Sequence, residues 1–361
     1  MLRTLLSAAR RAVVRKRGHR HVNDKVCTVP FERFGVNADG SVELCCGAWM
    51  QGDILAGNVF HQSFWEVWNS STAKEIRKSV TDGTFSRCTG KCPLLASGNL
   101  PRREDVRYLL REAVNNPTKD LRVYPQYVKL NNDYSCNLYC PSCRRDRFVA
   151  DKNAADAISE ANMRIIFPLL RHANVLDILG SGEVLASRAS MELLNHLDAE
   201  IHRNLRIYLL TNGMLFDENG WDRLRAIHKL NVWLNLSIDA GTKDTYEKLR
   251  RGGVYEKLME NLRFIGQLRA GGTLKKLILN VTIQKDNYRE LPLVAQLARE
   301  HHADQVMLFR LVNWGSFSEE ECRDADVSRS DHPEHERFLQ VLADDSLYDI
   351  IDIGPFAVFR Q

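Results

Sequence analysis

Residues 127–143 read YVKLNNDYSCNLYCPSC, and this segment is the strongest indication of the fold. Its first five residues, Tyr127–Asn131, form an apolar run that predicts a β-strand. Three cysteines follow at once, Cys136, Cys140 and Cys143, so that one short loop after the strand carries three thiols. In parallel α/β proteins the carboxyl ends of the strands carry the chemistry. The stretch therefore predicts a strand–helix architecture with metal-ligating thiols at its active edge.

Similar strand–helix units continue along the chain. The predicted strands are Tyr127–Asn131, Asn174–Leu179, Leu205–Leu210, Val232–Ile238, Leu277–Ile283 and Val306–Leu311. Between them, core-facing apolar residues recur at helical spacing: Leu193, Leu194, Leu197 and Ile201, then Leu258, Leu262 and Ile265, then Leu291, Val294 and Leu297. Continuous rather than alternating hydrophobicity indicates parallel strands covered by helices. Six such units predict a partial (β/α)6 barrel.

The chain divides into five segments on this interpretation. Residues 1–25 are a basic N-terminal segment, and residues 26–97 are a small cysteine-rich domain with one helical stretch from about Ser63 to Val80. Residues 98–123 are a linker, 124–312 the barrel core, and 313–361 a C-terminal extension to which the sequence assigns no chemistry.

Charge and composition exclude several classes of protein. The net charge is +4, but residues before Asp24 contain seven Lys and Arg and no acid, so that removing them leaves −3. The bulk of the chain therefore lacks the basic field that nucleic acid requires. No apolar run approaches the roughly 20 residues of a membrane-spanning helix. Eight of the nine cysteines fall in two groups with short internal spacings, which favours metal ligation in a reducing cytoplasm over disulfides.

The basic start allows three interpretations. Leu2, Leu5, Leu6, Ala9 and Val13 share one helical face, which could rest on an anionic membrane as a peripheral contact through residues 1–21. A mitochondrial presequence has the same Arg-rich, acid-free pattern. A solvated tail is the interpretation we favour.

The cysteine triplet has a specific chemical meaning. Three protein thiolates on a four-iron cluster leave one iron open, whereas a structural cluster takes four cysteines. Zinc would need a fourth ligand nearby. The C-x3-C-x2-C spacing after a strand resembles the radical S-adenosylmethionine (SAM) superfamily. The resemblance implies a [4Fe-4S] cluster on Cys136, Cys140 and Cys143, a one-electron donor of flavodoxin or ferredoxin type, and reductive cleavage of SAM to a 5′-deoxyadenosyl radical.

The resemblance continues at the ends of later strands. After the second strand it implies cofactor contacts from a Gly-Gly-Glu-like segment, Gly180, Gly182 and Glu183. After the third and fourth strands it implies contacts from two polar pairs, Thr211 with Asn212 and Ser237 with Asp239. It also implies a contact from Arg250, an arginine that precedes two glycines. The alternative interpretation is ordinary turn and cap chemistry, to which these residue types are equally suited. Ser142 departs from the superfamily, which usually has an aromatic residue there.

A second cysteine group precedes the barrel. Cys27 is followed by Gly40, Cys45, Cys88 and Cys92, a set that resembles the SPASM or shorter twitch extension of radical SAM enzymes. The resemblance implies one auxiliary cluster, of [4Fe-4S] type, on Cys27, Cys45, Cys88 and Cys92, with Cys46 as an alternative to Cys45. That extension normally follows the barrel, so the arrangement is permuted. A four-thiolate zinc site is the alternative.

The predicted function is that of a radical SAM enzyme. Enzymes with this extension mostly modify peptides, which implies hydrogen abstraction from a peptide or peptidyl substrate. A sugar or glycan substrate is the first alternative, prompted by the N-terminal segment. A non-catalytic zinc-stabilised binding module is the alternative from another class.

Overall fold

The computed structural model describes residues 24–178 and 182–360. The chain divides into two compact units, Met1–Lys129 and Leu130–Gln361. Residues 1–21, and with them the proposed membrane contact, lie outside the described residues. Within the described ranges no helix combines the length and the apolar character that crossing a bilayer requires. The five-segment division of the chain stays a prediction.

The first unit is built on a small antiparallel meander. Strand β1 (Arg33–Asn37) pairs with β2 (Ser41–Glu43), and β2 pairs with β3 (Leu55–Asn58). Gly40 has φ +78° in the turn between β1 and β2, a conformation that suits glycine. The helices are α1 (Val29–Glu32), α2 (Phe64–Trp68), α3 (Ser71–Ser79), α4 (Pro93–Ala96) and α5 (Tyr108–Asn115).

The helical stretch predicted from about Ser63 to Val80 contains two helices, because the chain breaks between α2 and α3. The Asn69 side chain donates to the Leu121 carbonyl oxygen and accepts from the Leu121 N–H. Ser70 then starts α3 by accepting from the Ala73 N–H, as N-terminal caps do. Two polar residues in sequence thus end one helix and start the next.

Arg77 organises the interior of the first unit. Its side chain is fully buried, and its guanidinium lies 4.4 Å from the centre of the Trp68 ring. It donates to the carbonyl oxygens of Pro30 (3.0 Å) and Trp68 (2.6 Å). The residue therefore ties α1, which follows Cys27, to the end of α2.

The second unit contains the predicted parallel sheet. Its strands are β4 (Tyr127–Asn131), β5 (Val175–Ile178), β6 (Arg206–Thr211), β7 (Asn231–Ser237), β8 (Lys276–Ile283), β9 (Gln305–Arg310) and β10 (Ile351–Asp352). They lie side by side in chain order, and every pair from β5 to β10 is parallel. The α/β class and all six predicted strands are confirmed, and the order is consistent with a partial barrel. The short strand β10 was not predicted.

Helices connect these strands. They are α6 (Lys152–Ala161), α7 (Phe167–Leu170), α8 (Arg188–Asn195), α9 (Glu218–Asp222), α10 (Lys243–Leu249), α11 (Tyr255–Ala270), α12 (Leu291–Glu300), α13 (Glu319–Ala325) and α14 (His335–Leu342). A π-helical turn, Asn162–Ile166, joins α6 to α7. The predicted core positions on α11 are fully buried. Ile201 contradicts its prediction, because α8 ends at Asn195 and Ile201 is 51% exposed.

Candidate active site

The cysteine loop follows β4 and is closed by two backbone contacts. The Cys136 N–H donates to the Phe148 carbonyl oxygen at 2.7 Å, and the Cys143 N–H donates to that of Cys140 at 2.9 Å. The loop forms one wall of a cavity. Residues from four strand ends line this cavity: Cys136, Leu138, Cys140, Cys143, Arg144, Gly182, Leu210, Thr211, Asn212, Ser237 and Arg250. The structure thus brings the three predicted cluster ligands and five of the predicted SAM contacts together.

Gly182 allows the segment after β5 to approach the cysteine loop. A Cβ atom built at this position would lie 2.5 Å from the carbonyl oxygen of Asp133 and 2.7 Å from that of Ser135. The neighbouring Glu183 N–H donates to the Ser135 carbonyl oxygen at 2.8 Å. The backbones on either side of the cavity are therefore in direct contact. Gly180 lies outside the described residues.

Glu183 is buried behind the cavity wall. One carboxylate oxygen accepts from Thr211 Oγ1 (2.8 Å) and the Leu185 N–H (3.3 Å), and the other accepts from the Asn212 N–H (2.7 Å). Burial raises the pKa of Glu183, against the lowering effect of these donors. The carboxylate thus fixes the end of β6 against the segment after β5. Its predicted contact with the cofactor stays a prediction.

Asn212 both makes a turn and reaches the cysteine loop. Its side-chain oxygen accepts from the Met214 N–H at 3.0 Å, which is ordinary turn chemistry. Its amide nitrogen donates to Asn137 Oδ1 at 2.9 Å and to Cys136 Sγ at 3.7 Å. Asn212 therefore takes part both in the turn after β6 and in the contacts with the cysteine loop.

Arg250 forms an ion pair beside the cavity. Its Nε lies 2.8 Å from Asp239 Oδ2, and its Nη1 lies 4.0 Å from Cys140 Sγ. Asp239 has φ +56° and accepts from the Thr282 N–H at 2.7 Å. Arg250 and Ser237 line the cavity, whereas Asp239 is not part of its described wall and contacts it only through the ion pair with Arg250. The sequence placed both Asp239 and Arg250 near the site but did not predict that they pair.

Nearby charges act on the buried thiols. Burial raises the pKa of Cys140, and the Arg250 guanidinium opposes that rise. Burial likewise raises the pKa of Cys136, with Arg144 among the opposing groups. Although burial lowers the pKa of Arg250, the Asp239 carboxylate and the Cys140 sulfur raise it by more, so Arg250 stays cationic. Two cations thus favour the thiolate form that metal ligation requires.

Sequence reasoning missed three residues of the cavity wall: Leu138, Arg144 and Leu210. Leu138 lies inside the cysteine motif, and its N–H donates to Cys136 Sγ at 3.5 Å. Arg144 directly follows Cys143. The position of a basic residue next to the cysteine triplet was the sequence signal that could have identified Arg144.

The four cysteines predicted as auxiliary ligands meet at a separate cavity in the first unit. Cys27, Cys45, Cys88 and Cys92 all line it, whereas Cys46 does not. The rest of the wall is mostly apolar: Val29, Pro30, Arg33, Trp49, Met50, Ile76, Val80, Phe85, Leu94, Leu95 and Leu100. Burial raises the pKa of Cys27 to about 12, and the three other lining cysteines add to that rise. Burial, together with Cys45 and Cys92, also raises the pKa of Cys88 to about 11.

Both sites have the donor chemistry of iron–sulfur centres. Around the triplet, one backbone N–H and the side chains of Asn212 and Arg250 point at cysteine sulfurs, as hydrogen-bond donors do around cluster thiolates. The first-unit cavity offers four thiols in an apolar wall, a complete set for one cluster. Across the described ranges, no three His, Cys, Asp or Glu side chains form a group that could hold a single metal ion.

Comparison with known families identifies both units. Residues 27–93 match the family model of the SPASM iron-sulfur cluster-binding domain. Residues 134–298 match that of the radical SAM superfamily. The first match contains all four auxiliary cysteines, and the second contains the triplet and every predicted SAM contact.

Individual relatives are distant. The AdoMet-dependent heme synthase of Methanosarcina barkeri (strain Fusaro / DSM 804) is 26% identical over 213 residues, 58% of this chain and 57% of the relative. The chain thus spans little more than half the length of this curated relative.

Among solved structures, Streptococcus suis SuiB bound to S-adenosylmethionine is 16% identical, with a TM-score of 0.45 over 77% of this chain and 59% of that one. Native anSMEcpe with bound AdoMet and Kp18Cys peptide is 17% identical, with a TM-score of 0.35 over 51% of this chain and 50% of that one. On the two family models, the chain belongs to the radical SAM superfamily, and an iron–sulfur domain of SPASM type precedes its radical SAM domain.

Proposed function

We propose that the chain cleaves SAM reductively at a [4Fe-4S] cluster held by Cys136, Cys140 and Cys143, and abstracts hydrogen from a peptide or peptidyl substrate. The observation that carries the proposal is the single cavity shared by these thiols and by Gly182, Thr211, Asn212, Ser237 and Arg250. When bound, the cluster and SAM supply the radical chemistry. The chain supplies position, charge and exclusion of water.

The residues around the cavity have different roles in positioning the cluster and the cofactor. Asn212 and Arg250 direct N–H donors at two cysteine sulfurs and hold the loop in place. Ser237 and Thr211 line the same cavity; Ser237 offers its hydroxyl group to a polar cofactor, whereas the Thr211 hydroxyl donates to Glu183. Glu183 fixes the positions of Thr211 and Asn212. The cofactor contacts of these groups are part of the proposal.

The peptide substrate is supported by the SPASM domain and by the surface at the active edge. Large apolar side chains are exposed in segments that follow the carboxyl ends of β4, β7 and β9: Phe148, Val149, Val254, Val312 and Trp314. Trp314 is 73% exposed. Exposed apolar side chains at an active edge suit a partner with apolar side chains of its own better than they suit a sugar.

The first experiment tests the cleavage reaction. Anaerobically reconstituted protein is reduced, mixed with SAM and assayed for 5′-deoxyadenosine, with Cys140→Ala as the inactive control and Cys92→Ala as the variant expected to keep part of the cleavage. A zinc-containing, colourless protein that makes no product would refute the enzyme. Equal and total loss in both variants would refute separate roles for the two sites.

The second experiment tests the substrate class. Peptides and sugars with deuterated C–H positions are supplied separately, and 5′-deoxyadenosine is analysed by mass spectrometry. Deuterium transfer from peptides alone is expected. Transfer from the sugars alone would replace the peptide assignment and leave the radical chemistry intact.

A further inference from the structure

Three exposed arginines lie beside the cysteine loop. Arg145 and Arg147 follow the last cysteine of the triplet, and Arg251 follows the cavity-lining Arg250. We name these three residues the arginine patch. The only acidic residue between Cys143 and Phe148 is Asp146. The patch is therefore a concentrated positive surface.

The patch is held against the loop by Tyr139. The Arg147 and Arg251 guanidinium carbons lie 5.4 and 5.1 Å from the centre of the Tyr139 ring, within the range of cation–π attraction. The Tyr139 N–H donates to the Arg251 carbonyl oxygen at 3.1 Å. Gly252, with φ +89°, lies so close that an added Cβ would be 2.9 Å from the Tyr139 ring. Two of the cations thus flank the residue immediately before Cys140.

The patch arginines differ from several other surface arginines. Arg269, Arg289, Arg299 and Arg329 each form an ion pair with a carboxylate at 2.5 to 2.8 Å. Among described residues, no carboxylate lies within 4 Å of the guanidinium groups of the patch. Hydrogen bonds with Ser318 lower the pKa of Glu321, and the nearby Arg145 guanidinium adds to that lowering. Because no described carboxylate pairs directly with the patch, its charge is available to an outside partner.

The patch arginines do not belong to the described cavity wall. Arg144 and Arg250 line the cavity, whereas its described wall contains neither Tyr139 nor the three patch arginines. Arg147 and Arg251 lie against Tyr139, the residue before Cys140. A protein bound at the patch would therefore contact the loop that carries the three thiols.

We propose that the arginine patch docks the acidic face of a protein electron carrier that reduces the centre at Cys136, Cys140 and Cys143. The proposal rests on the proposed function, which requires one electron per cleavage. The carrier is oxidised by one electron and the centre is reduced by one, and no bond forms or breaks. Opposite charges steer encounter and fix orientation, so the patch accelerates association. Nucleic acid is a poorer fit because three arginines with Asp146 among them make a small footprint.

The test uses the full-length, cluster-loaded enzyme without substrate and compares two reductants. One is a reduced acidic flavodoxin, and the other is reduced methyl viologen, a small cation that needs no docking surface. The variant is R145E/R147E, which reverses two charges outside the cavity. The matched control is R203E/R225E, because exposed Arg203 and Arg225 precede β6 and β7 and lie at the opposite edge of the sheet.

We expect R145E/R147E to slow flavodoxin-driven formation of 5′-deoxyadenosine by about tenfold or more at low ionic strength. Its viologen-driven rate should stay within about twofold of wild type, and salt should slow wild type but not the variant. Equal loss with both reductants, or equal flavodoxin rates in R145E/R147E and R203E/R225E, would overturn the docking site. Wild type that forms no product with either reductant would instead refute the proposed function.

Discussion

Gly182→Ala tests the close approach on which the site depends. The added Cβ would lie 2.5 and 2.7 Å from two backbone carbonyl oxygens, whereas ordinary contact begins at 3.4 Å. The segment after β5 and the cysteine loop must therefore separate by about 0.7 to 0.9 Å, the difference between these distances. Neither neighbour is a flexible side chain, so no rotamer change relieves the contact.

The expected cost follows from this displacement. Overpacking of a well-packed site costs about 1–3 kcal/mol, which lowers the melting temperature of a unit of this size by roughly 2–12 °C. The Ser135 carbonyl oxygen that must move also accepts from the Glu183 N–H. Misplacement of a reacting geometry by about 1 Å costs on the order of 10²-fold in rate. We therefore expect formation of 5′-deoxyadenosine to fall about a hundredfold, and by more than stability alone would explain.

Melting by circular dichroism and the anaerobic cleavage assay measure the two effects. Gly271→Ala is the matched control, since Gly271 ends α11 with φ −74° and an added Cβ would contact only the Gln267 carbonyl oxygen, at 3.2 Å. The control should melt and react like wild type. A Gly182→Ala protein that melts and reacts like the control would refute the close approach.

Three further predictions concern single residues. Burial raises the pKa of Glu183, so the folded protein keeps its carboxyl proton above the unfolded pKa of about 4.3. The free energy of unfolding should therefore fall, by up to about 1.4 kcal/mol per pH unit, as the pH rises from the unfolded pKa to the raised one. Urea titrations should show no such slope in Glu183→Gln, and equal slopes in both proteins would contradict the shift. Cys45→Ser should lose about half of the bound iron and Cys46→Ser should keep it all, because Cys45 alone of the two lines the cavity; the reverse pattern would exchange their roles. Arg77→Met should destabilise the first unit by about 2–6 kcal/mol in tryptophan-detected urea unfolding, because two buried carbonyl oxygens lose their donor; a loss no greater than that of the exposed-residue control Arg122→Met would show that water replaces it.

The sheet could be predicted from the sequence because its strands are short apolar runs, with nearly continuous burial in β8 and alternating burial in β4. Tyr127–Asn131 matches β4 at both ends, and the other five predicted strands overlap the observed ones closely. Strand β10 is only two residues long, Ile351–Asp352, which is too short to give a periodic signal. It forms because β9 offers it a parallel partner.

The missed helix break shows what periodicity cannot detect. Asn69 ends α2 through two hydrogen bonds to Leu121, which lies 52 residues further along the chain. Local spacing carries no information about such a partner. Ile201 fails for a related reason, since its apolar spacing continues after α8 has ended at Asn195.

The candidate site was predictable where chain spacing alone creates it. The triplet is such a case, because eight consecutive residues contain all three cysteines. The Glu183 contacts with Thr211 and Asn212 required the pairing of β5 with β6, and the Arg250–Asp239 ion pair required the turn at Asp239. Those contacts depend on register, which a motif does not encode.

The reversed order of the two domains follows the same physical logic. The described wall of the auxiliary cavity runs from Cys27 to Leu100, so all four thiols and their apolar surroundings come from one continuous segment. A site that closes on its own segment does not depend on what precedes or follows it in the chain. The resemblance could therefore be recognised from residues 27–92 alone, wherever the segment lies in the chain.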